Sequence, residues 1–280
     1  MKTSLKELFF ALLAFTLSFL VAHITEIKIV KDAVLLAFLI QWILFIPAYI
    51  FQTEKFYDLS GSLTYISVVL FCFYNNSDSN NFNLGNLIIS LLIIIWATRL
   101  GSFLFIRIKK AGEDIRFREI KKSPSRFFMT WTLQGMWVSI CSACSLAGIS
   151  NGIIINNLFY IGLSIFIAGF TIEIIADNQK TKFRMNPINK DRFINSGLWK
   201  YSRHPNYLGE ITLWLGISVI SFSSLQGLEL LTLVSPIFTY LLLVYVSGVR
   251  ILEHNGNKKW GHLESYNDYK KNTPRLLGFL

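Results

Sequence analysis

The chain reads GLWKYSRHPNYLGE from Gly197 to Glu210 and continues without a break into the apolar run Ile211–Phe222. This polar cluster therefore stands at the mouth of a helix that is apolar enough for a lipid bilayer, where polar groups are costly and usually functional. Proline is favoured in the first turn of a helix, so Pro205 marks the predicted start. We call residues 197–210 the helix mouth, and we expect the rest of the chain to be organised around it.

The composition is that of a polytopic membrane protein. Of the 280 residues, 52% are hydrophobic and 16% are charged, whereas soluble chains carry roughly 25% charged residues. The apolar segments predict an all-α transmembrane bundle of about eight helices, of which the third is the shortest. The predicted spans are residues 8–24, 33–51, 59–74, 87–105, 127–149, 153–176, 205–222 and 229–249.

Positive charge is distributed very unevenly among the predicted loops. If the N-terminus is cytoplasmic and the helices alternate in direction, nearly all of the 27 Lys and Arg residues fall on the cytoplasmic side. The exceptions are Lys28 and Lys31 on the other side and Arg99 within a helix. Since cytoplasmic loops carry an excess of Lys and Arg, both termini are predicted to be cytoplasmic. The net charge of +10 then indicates contact with membrane lipids or phosphate groups and not with nucleic acid.

The mouth of the seventh predicted helix suits an anion. Its positive dipole end faces the cytoplasm, and Lys200 and Arg203 flank its free backbone N–H groups, so a phosphate or carboxylate would be favoured there. Asn206 and Glu210 share one face of this helix. Glu210 is expected to accept hydrogen bonds from an amide, a ribose hydroxyl or a cation, or else to pair with Arg203.

The end of the sixth predicted helix carries a stripe of charge. Glu173, Asp177, Lys180 and Arg184 recur at a spacing that places all four on one helix face if the helix continues past the membrane surface. They either form pairs that stabilise the helix end or face a cavity, and the apolar neighbours of Glu173 favour the cavity. Arg99 either extends to the lipid headgroups or pairs with a buried carboxylate.

A soluble nucleotide-binding domain and a metal site are both unexpected. The chain has no Gly-rich dinucleotide fingerprint after a strand and no Walker loop, so a bound nucleotide would need a membrane-embedded site. Cys141 and Cys144 lie within an apolar helix without a second cysteine pair, which favours packing over metal binding.

At these residues the chain resembles the family called domain of unknown function 1295, which is grouped with the steroid 5-alpha-reductases. It resembles the isoprenylcysteine carboxyl methyltransferases more distantly. The resemblance begins at about Glu54, so we divide the chain into N-terminal transmembrane helices at 1–51 and a reductase-like transmembrane domain with a cytoplasmic tail at 52–280. Its landmarks are Glu54–Ser62, Trp96 with Arg99–Gly101, Gly112–Phe117, Asp177 with Gln179–Lys180, and the opening stretch Gly197–Glu210. Within that stretch, the methyltransferases share a motif like Arg203–Tyr207.

This resemblance implies a membrane-embedded reductase that passes hydride from NADPH to a C=C bond conjugated to a carbonyl, in a steroid-like or other small lipid substrate. By position it assigns Asp177, Arg184, Asn206 and Glu210 to the nucleotide, and it places Tyr266 and Tyr269 in a tail that closes the site. With the residues of the stripe and the helix mouth, the expected cofactor-binding set is Arg99, Glu173, Asp177, Lys180, Arg184, Arg203, His204, Asn206, Tyr207, Glu210, Tyr266 and Tyr269.

The resemblance also supplies the catalytic candidates. Glu54 matches the carboxylate that helps to polarise the substrate carbonyl, and Tyr57 belongs to the same landmark. Trp96 is a departure, because the steroid reductases carry a substrate-facing tyrosine there and an indole cannot donate a proton as a phenol can.

Two other functions are compatible with the sequence. A methyltransferase that uses S-adenosylmethionine would have a smaller and less cationic site, so the basic residues Lys180, Arg184, Lys200 and Arg203 argue against it. A non-enzymatic lipid-binding or transport bundle would also contain buried charges. The missing inverted repeat and the position of the polar groups on one side argue against that third function. The host membrane, bacterial inner membrane or eukaryotic organelle, is not indicated, and neither is the oligomeric state.

Overall fold

The computed structural model describes residues 2–76 and 82–277, and every regular element within them is helical. The α-helices are α1 (Lys2–Ile24), α2 (Lys28–Ile50), α3 (Tyr57–Asn76), α4 (Leu84–Ala111), α5 (Phe117–Ile120), α6 (Pro124–Asn151), α7 (Asn157–Met185), α8 (Pro205–Phe222), α9 (Ser235–Leu241), α10 (Val249–Trp260) and α11 (Glu264–Asn272).

The protein is an integral, multi-pass membrane protein. Six helical segments of the described chain are long and apolar enough to cross a bilayer. They are Ser4–Ile24, Lys28–Ile50, Leu84–Ala111, Pro124–Asn151, Asn157–Met185 and Gly227–Trp260. The predicted spans 59–74 and 205–222 correspond to α3 and α8. The count of eight spans and the cytoplasmic side of both termini stay predictions.

The last apolar segment is interrupted and not one regular α-helix as its composition predicts. After α9 the chain forms the π-helical turn Leu242–Val246 and then breaks at Gly248 before α10. The N–H and Oγ of Ser247 both donate to the carbonyl of Leu242, at 2.9 and 3.2 Å. Such wide turns are frequent at functional sites. Here the break brings the backbone of Gly248 against the ring of Tyr207, and a Cβ atom on Gly248 would lie 2.9 Å from that ring.

Contacts divide the chain into two units, and the first is Met1–Leu158 with Ile220–Ser235. The helix α6 is its centre, since 78% of its most apolar stretch is buried, against 28–33% for the corresponding stretches of α1, α2 and α4. Ser123 caps α6 by accepting a hydrogen bond from the N–H of Arg126, and Pro124 opens its first turn. The first unit contains residues on both sides of the predicted division at 51/52, which stays a prediction.

The second unit is Phe159–Val219 with Pro236–Leu280. The helices α7 and α8 approach each other through glycines. A Cβ atom on Gly169 would lie 2.5 Å from the backbone N of Leu213, and one on Gly216 would lie 2.5 Å from that of Phe166. Small residues allow such backbone contact between membrane helices. As the stripe of charge requires, α7 continues through Arg184 as one helix.

Candidate functional site

A cavity of about 630 Å³ lies in the second unit, within the range of roughly 300–1,000 Å³ that is usual for ligand pockets. Its wall combines the end of α7, the turns that follow it, the mouth of α8, and both α10 and α11. The charged residues of the wall are Lys180, Arg184, Lys190, Arg192, Arg203, Lys259 and Glu253, and its aromatic residues are Phe183, Phe193, Trp199, Trp260, Tyr266 and Tyr269. Cations outnumber the carboxylate, so the wall favours an anionic ligand.

The cavity brings together half of the residues expected to bind a cofactor. These are Lys180, Arg184, Arg203, His204, Tyr266 and Tyr269. They come from distant parts of the chain. They converge because the helix mouth is bonded to α7 and the C-terminal tail is bonded to the helix mouth.

The helix mouth is attached to α7 by hydrogen bonds. The side-chain oxygen of Gln179 accepts from the N–H of Leu198 at 2.9 Å, and the indole of Trp199 donates to the carbonyl of Ala176 at 3.1 Å. Gly197 has a φ of +61°, and a Cβ atom there would lie 2.5 Å from Gln179, so glycine suits this position on both counts. This attachment places the ring of Trp199 4.6 Å from Lys180 Nζ, in a cation–π contact.

Arg203 and His204 share one carboxylate, that of Glu253 in α10. Arg203 Nη1 lies 2.8 Å from Glu253 Oε2, and His204 Nε2 lies 2.9 Å from Glu253 Oε1. The three side chains are 10%, 6% and 15% exposed. Burial lowers the pKa of His204 below its ordinary value, and the contact with Glu253 opposes this shift without cancelling it. We therefore infer a neutral imidazole at pH 7.

The C-terminal tail folds back onto the helix mouth. The backbone N–H groups of Arg203 and His204 donate to the carbonyls of Pro274 and Arg275, at 3.0 and 3.1 Å. These two N–H groups, which immediately precede α8, are thus bonded within the chain itself. The phenol of Tyr269 donates to the carbonyl of Trp199 at 2.5 Å, and burial raises the pKa of that phenol, so it stays protonated.

The turn after α7 closes the aromatic side of the cavity. Phe193 stacks on Tyr269, with ring centroids 5.4 Å apart, and meets Tyr266 edge to face at 5.1 Å. The indole of Trp260 donates to the carbonyl of Asp191 at 2.6 Å, which holds the turn against α10. Flat aromatic faces beside cations are suited to a nucleotide base with its phosphates.

The other expected cofactor-binding residues lie outside the cavity wall. Glu173, Asp177 and Glu210 are buried in α7 and α8, at 2%, 6% and 7% exposure. Asn206 is partly buried in the first turn of α8, and the ring of Tyr207 stacks on that of His204 at 6.0 Å.

Arg99 and Trp96, which were also singled out from the sequence, belong to the first unit. The guanidinium of Arg99 lies 5.1 Å from the ring of Phe103 on the same helix. Trp96 is buried, and its ring meets that of Tyr65 edge to face at 5.1 Å. The indole therefore occupies an aromatic packing position in that unit.

The catalytic candidates Glu54 and Tyr57 also lie in the first unit. Glu54 is 4% exposed, pairs with Lys121, and accepts from the N–H of Asp114 at 2.9 Å. The phenol of Tyr57 donates to the carbonyl of Thr130 at 3.0 Å, and its ring packs against Trp131. Both side chains thus have defined partners within the protein.

Several wall residues were missed by sequence reasoning. The most important is Glu253, which stands in the charged segment after Arg250 and has no motif of its own. Phe193 and Trp199 were not assigned to the site, although aromatic residues beside basic ones are a usable signal for nucleotide binding. The cations missed are Lys190, Arg192 and Lys259.

A family model described as protein of unknown function (DUF1295) matches residues 12–273. The chain belongs to the DUF1295 family. The chain is also 30% identical over 122 residues to 3-oxo-5-alpha-steroid 4-dehydrogenase 1 of Macaca fascicularis, which covers 44% of this chain and 41% of the relative. The human protein of the same name is 28% identical over a stretch of the same length.

A methyltransferase is found among the relatives as well. The probable O-methyltransferase ustE of Ustilaginoidea virens is 30% identical over 94 residues, which covers 32% of this chain and 33% of the relative. The chain thus matches only about a third to two fifths of the length of these curated relatives. No solved structure matches it. These similarities support a membrane reductase or methyltransferase family.

Proposed function

We propose that the protein is a membrane-embedded, NADPH-dependent reductase of a C=C bond conjugated to a carbonyl, acting on a steroid-like or other lipid. The observation that carries the proposal is the cation-rich, aromatic-walled cavity of the second unit. The similarity to 3-oxo-5-alpha-steroid 4-dehydrogenase 1 supports the choice of reaction.

The residues of the cavity fit NADPH. Arg184, Lys190, Arg192 and Lys259 would hold phosphate groups, because guanidinium and ammonium groups form strong charge-assisted hydrogen bonds to phosphate oxygens. The rings of Phe193, Trp199 and Tyr266 would hold a base. When bound, NADPH supplies the hydride. The chain's own contribution is to bind and orient the cofactor and to keep water away from its reactive end.

In this proposal, Glu54 and Tyr57 contribute to the step that stabilises the substrate oxygen. Glu54 is already paired with Lys121. A carboxylate accepts hydrogen bonds only, so the ammonium of Lys121 is the proton donor of that pair. We propose that this donor, oriented by Glu54, stabilises the charge that develops on the substrate oxygen. Tyr57 would contribute by packing and by its own donor group, now bonded to Thr130.

Binding measurements test the cofactor directly. Purified protein in detergent is expected to bind NADPH more tightly than NADH, because NADH lacks one phosphate group. It is expected to oxidise NADPH when an enone lipid such as a 3-oxo-4-ene steroid is added. Equal affinity for NADPH and NADH would reject the phosphate assignment. No binding of either nucleotide would reject the proposal.

The second candidate function is methyl transfer from S-adenosylmethionine, which the similarity to the O-methyltransferase favours. S-Adenosylmethionine carries no phosphate, so its binding would not require the cations of the cavity wall. Thermal stabilisation by S-adenosylmethionine but not by NADPH, unaffected by Arg192→Gln, would replace the reductase with the methyltransferase.

A further inference from the structure

We propose that Glu253 is a positioning residue that fixes the ring of His204 in its Nε2–H form and cancels the charge of Arg203. This corner of the cavity is then a neutral subsite, which receives an uncharged part of the ligand and not a phosphate. The proposal rests on the proposed function only in the binding experiment, which uses NADPH as the ligand.

The geometry sets the direction of each hydrogen bond. Both oxygens of Glu253 are used, one by Arg203 Nη1 at 2.8 Å and one by His204 Nε2 at 2.9 Å. A carboxylate has no proton to donate, so Nε2 of a neutral His204 must carry the hydrogen. The proton-free nitrogen is then Nδ1.

The other side of the ring agrees with this assignment. His204 Nδ1 is buried, and within the described chain it has no hydrogen-bond partner. A proton on Nδ1 would create a buried donor without an acceptor, and orphaned buried N–H groups are rarer and more costly than under-used acceptors. The charged groups that act on His204 are Glu253, Lys180 and Arg203, and the two cations disfavour a second proton.

The same carboxylate neutralises Arg203, which distinguishes this arginine from the other cations of the wall. Arg203 is largely buried against Glu253, so a ligand meets an ion pair with little net charge. Arg192 also lines the cavity, but it is exposed, and no carboxylate contacts its guanidinium in the part of the chain that the structure describes. Arg192 is therefore the matched control for an arginine that keeps its charge.

The substitution Glu253→Gln is expected to reverse the tautomer of the His204 ring. The guanidinium of Arg203 can only donate, so it will take the amide oxygen of the new side chain. The amide NH₂ then faces His204 Nε2, which must accept, and the proton moves to Nδ1. At the same time Arg203 loses its counter-charge.

Nitrogen-15 spectra of histidine-labelled protein in detergent measure the ring directly. The chain has 4 His residues, so a His204→Gln variant identifies the signal. We expect the Nε2–H form in the wild type and the Nδ1–H form in Glu253→Gln. An Nδ1–H or doubly protonated ring in the wild type at neutral pH overturns the proposal, and so does an unchanged tautomer in Glu253→Gln. This measurement needs no cofactor, so it stands even if NADPH does not bind.

Salt dependence tests the charge. We expect Arg192→Gln to weaken NADPH binding by about tenfold or more at low salt. That loss should shrink near 1 M salt, where the Debye length is about 3 Å. The double variant Arg203→Gln with Glu253→Gln removes the whole ion pair, so it should bind NADPH with the same salt dependence as the wild type. Glu253→Gln should bind NADPH with a steeper salt dependence than the wild type. A loss in this double variant that disappears with salt, as in Arg192→Gln, shows that Arg203 binds phosphate and refutes the neutral subsite.

Discussion

Gly209 of α8 lies directly against the backbone of Glu173 in α7: a Cβ atom on Gly209 would be 2.6 Å from the Glu173 nitrogen. The carbonyl oxygen of Gly169 would be equally close. The two helices that carry the helix mouth and the charged stripe are thus in backbone contact. The helices α7 and α8 can lie this close only because Gly209 has no side chain.

Gly209→Ala is expected to destabilise the second unit. The new methyl group meets backbone atoms, which cannot rotate away, so the helices must separate at a cost of about 1–3 kcal/mol. Thermal unfolding in detergent measures this cost. Leu215→Met, at an exposed position of the same helix, is the control and should leave the midpoint nearly unchanged. Equal midpoints for Gly209→Ala and the wild type would contradict the helix contact.

The Glu54–Lys121 pair gives a second prediction. The side chain of Glu54 is 2% exposed and that of Lys121 is 17% exposed. Lys121→Met should therefore leave a buried charge without its partner, at a cost of about 3–5 kcal/mol. The double variant Glu54→Gln with Lys121→Met should recover part of this loss. Chemical denaturation of the wild type, the single variants Lys121→Met and Glu54→Gln, and the double variant forms the cycle, and additive effects would mean that the two side chains do not interact.

The buried imidazole of His204 predicts a loss of stability in mild acid. Its pKa is lowered in the folded protein, so the unfolded chain binds the proton more readily. Stability should be complete above the ordinary histidine pKa of about 6.5 and should fall as the pH decreases from there towards the lower folded value. Unfolding midpoints across this range measure the effect. His204→Gln should flatten the dependence, and an unaltered slope in that variant would assign it to other groups.

The phenol of Tyr269 should hold the tail in place. Tyr269→Phe removes the hydrogen bond to the carbonyl of Trp199, which is worth about 1 kcal/mol. Limited proteolysis is expected to cut the C-terminal segment faster in this variant, and NADPH should bind more weakly. Tyr201→Phe changes a phenol that is 72% exposed and serves as the control. Identical cleavage rates in the two variants would show that the tail is held by other contacts.

The length of the apolar segments predicted a helical membrane bundle correctly, because a lipid environment permits few alternatives to a helix. The stripe from Glu173 to Arg184 shares one face only if the helix continues past the predicted span 153–176, and α7 does continue, to Met185. Sequence reasoning also selected Arg203 and His204, since polar residues at the mouth of a membrane helix are exceptional.

The partners of those residues were beyond the sequence. Glu253 reaches Arg203 only because the last apolar segment breaks at Gly248 and α10 begins there. Nothing in the apolar composition of residues 229–249 predicts that interruption. The glycines at 162, 169, 209 and 216 were a signal that was not used. They recur seven residues apart in α7 and in α8, which is one face of each helix.

The bonds from Arg203 and His204 to Pro274 and Arg275 have a consequence for biosynthesis. The start of α8 is completed by carbonyl groups that leave the ribosome much later than the helix itself. During translation the N–H groups of Arg203 and His204 must therefore bond to water or to other groups until the C-terminal segment has been synthesised. A chain that terminates before Pro274 would contain the apolar helices and all six Lys and Arg residues of the cavity wall, but it would lack the segment that completes the helix mouth.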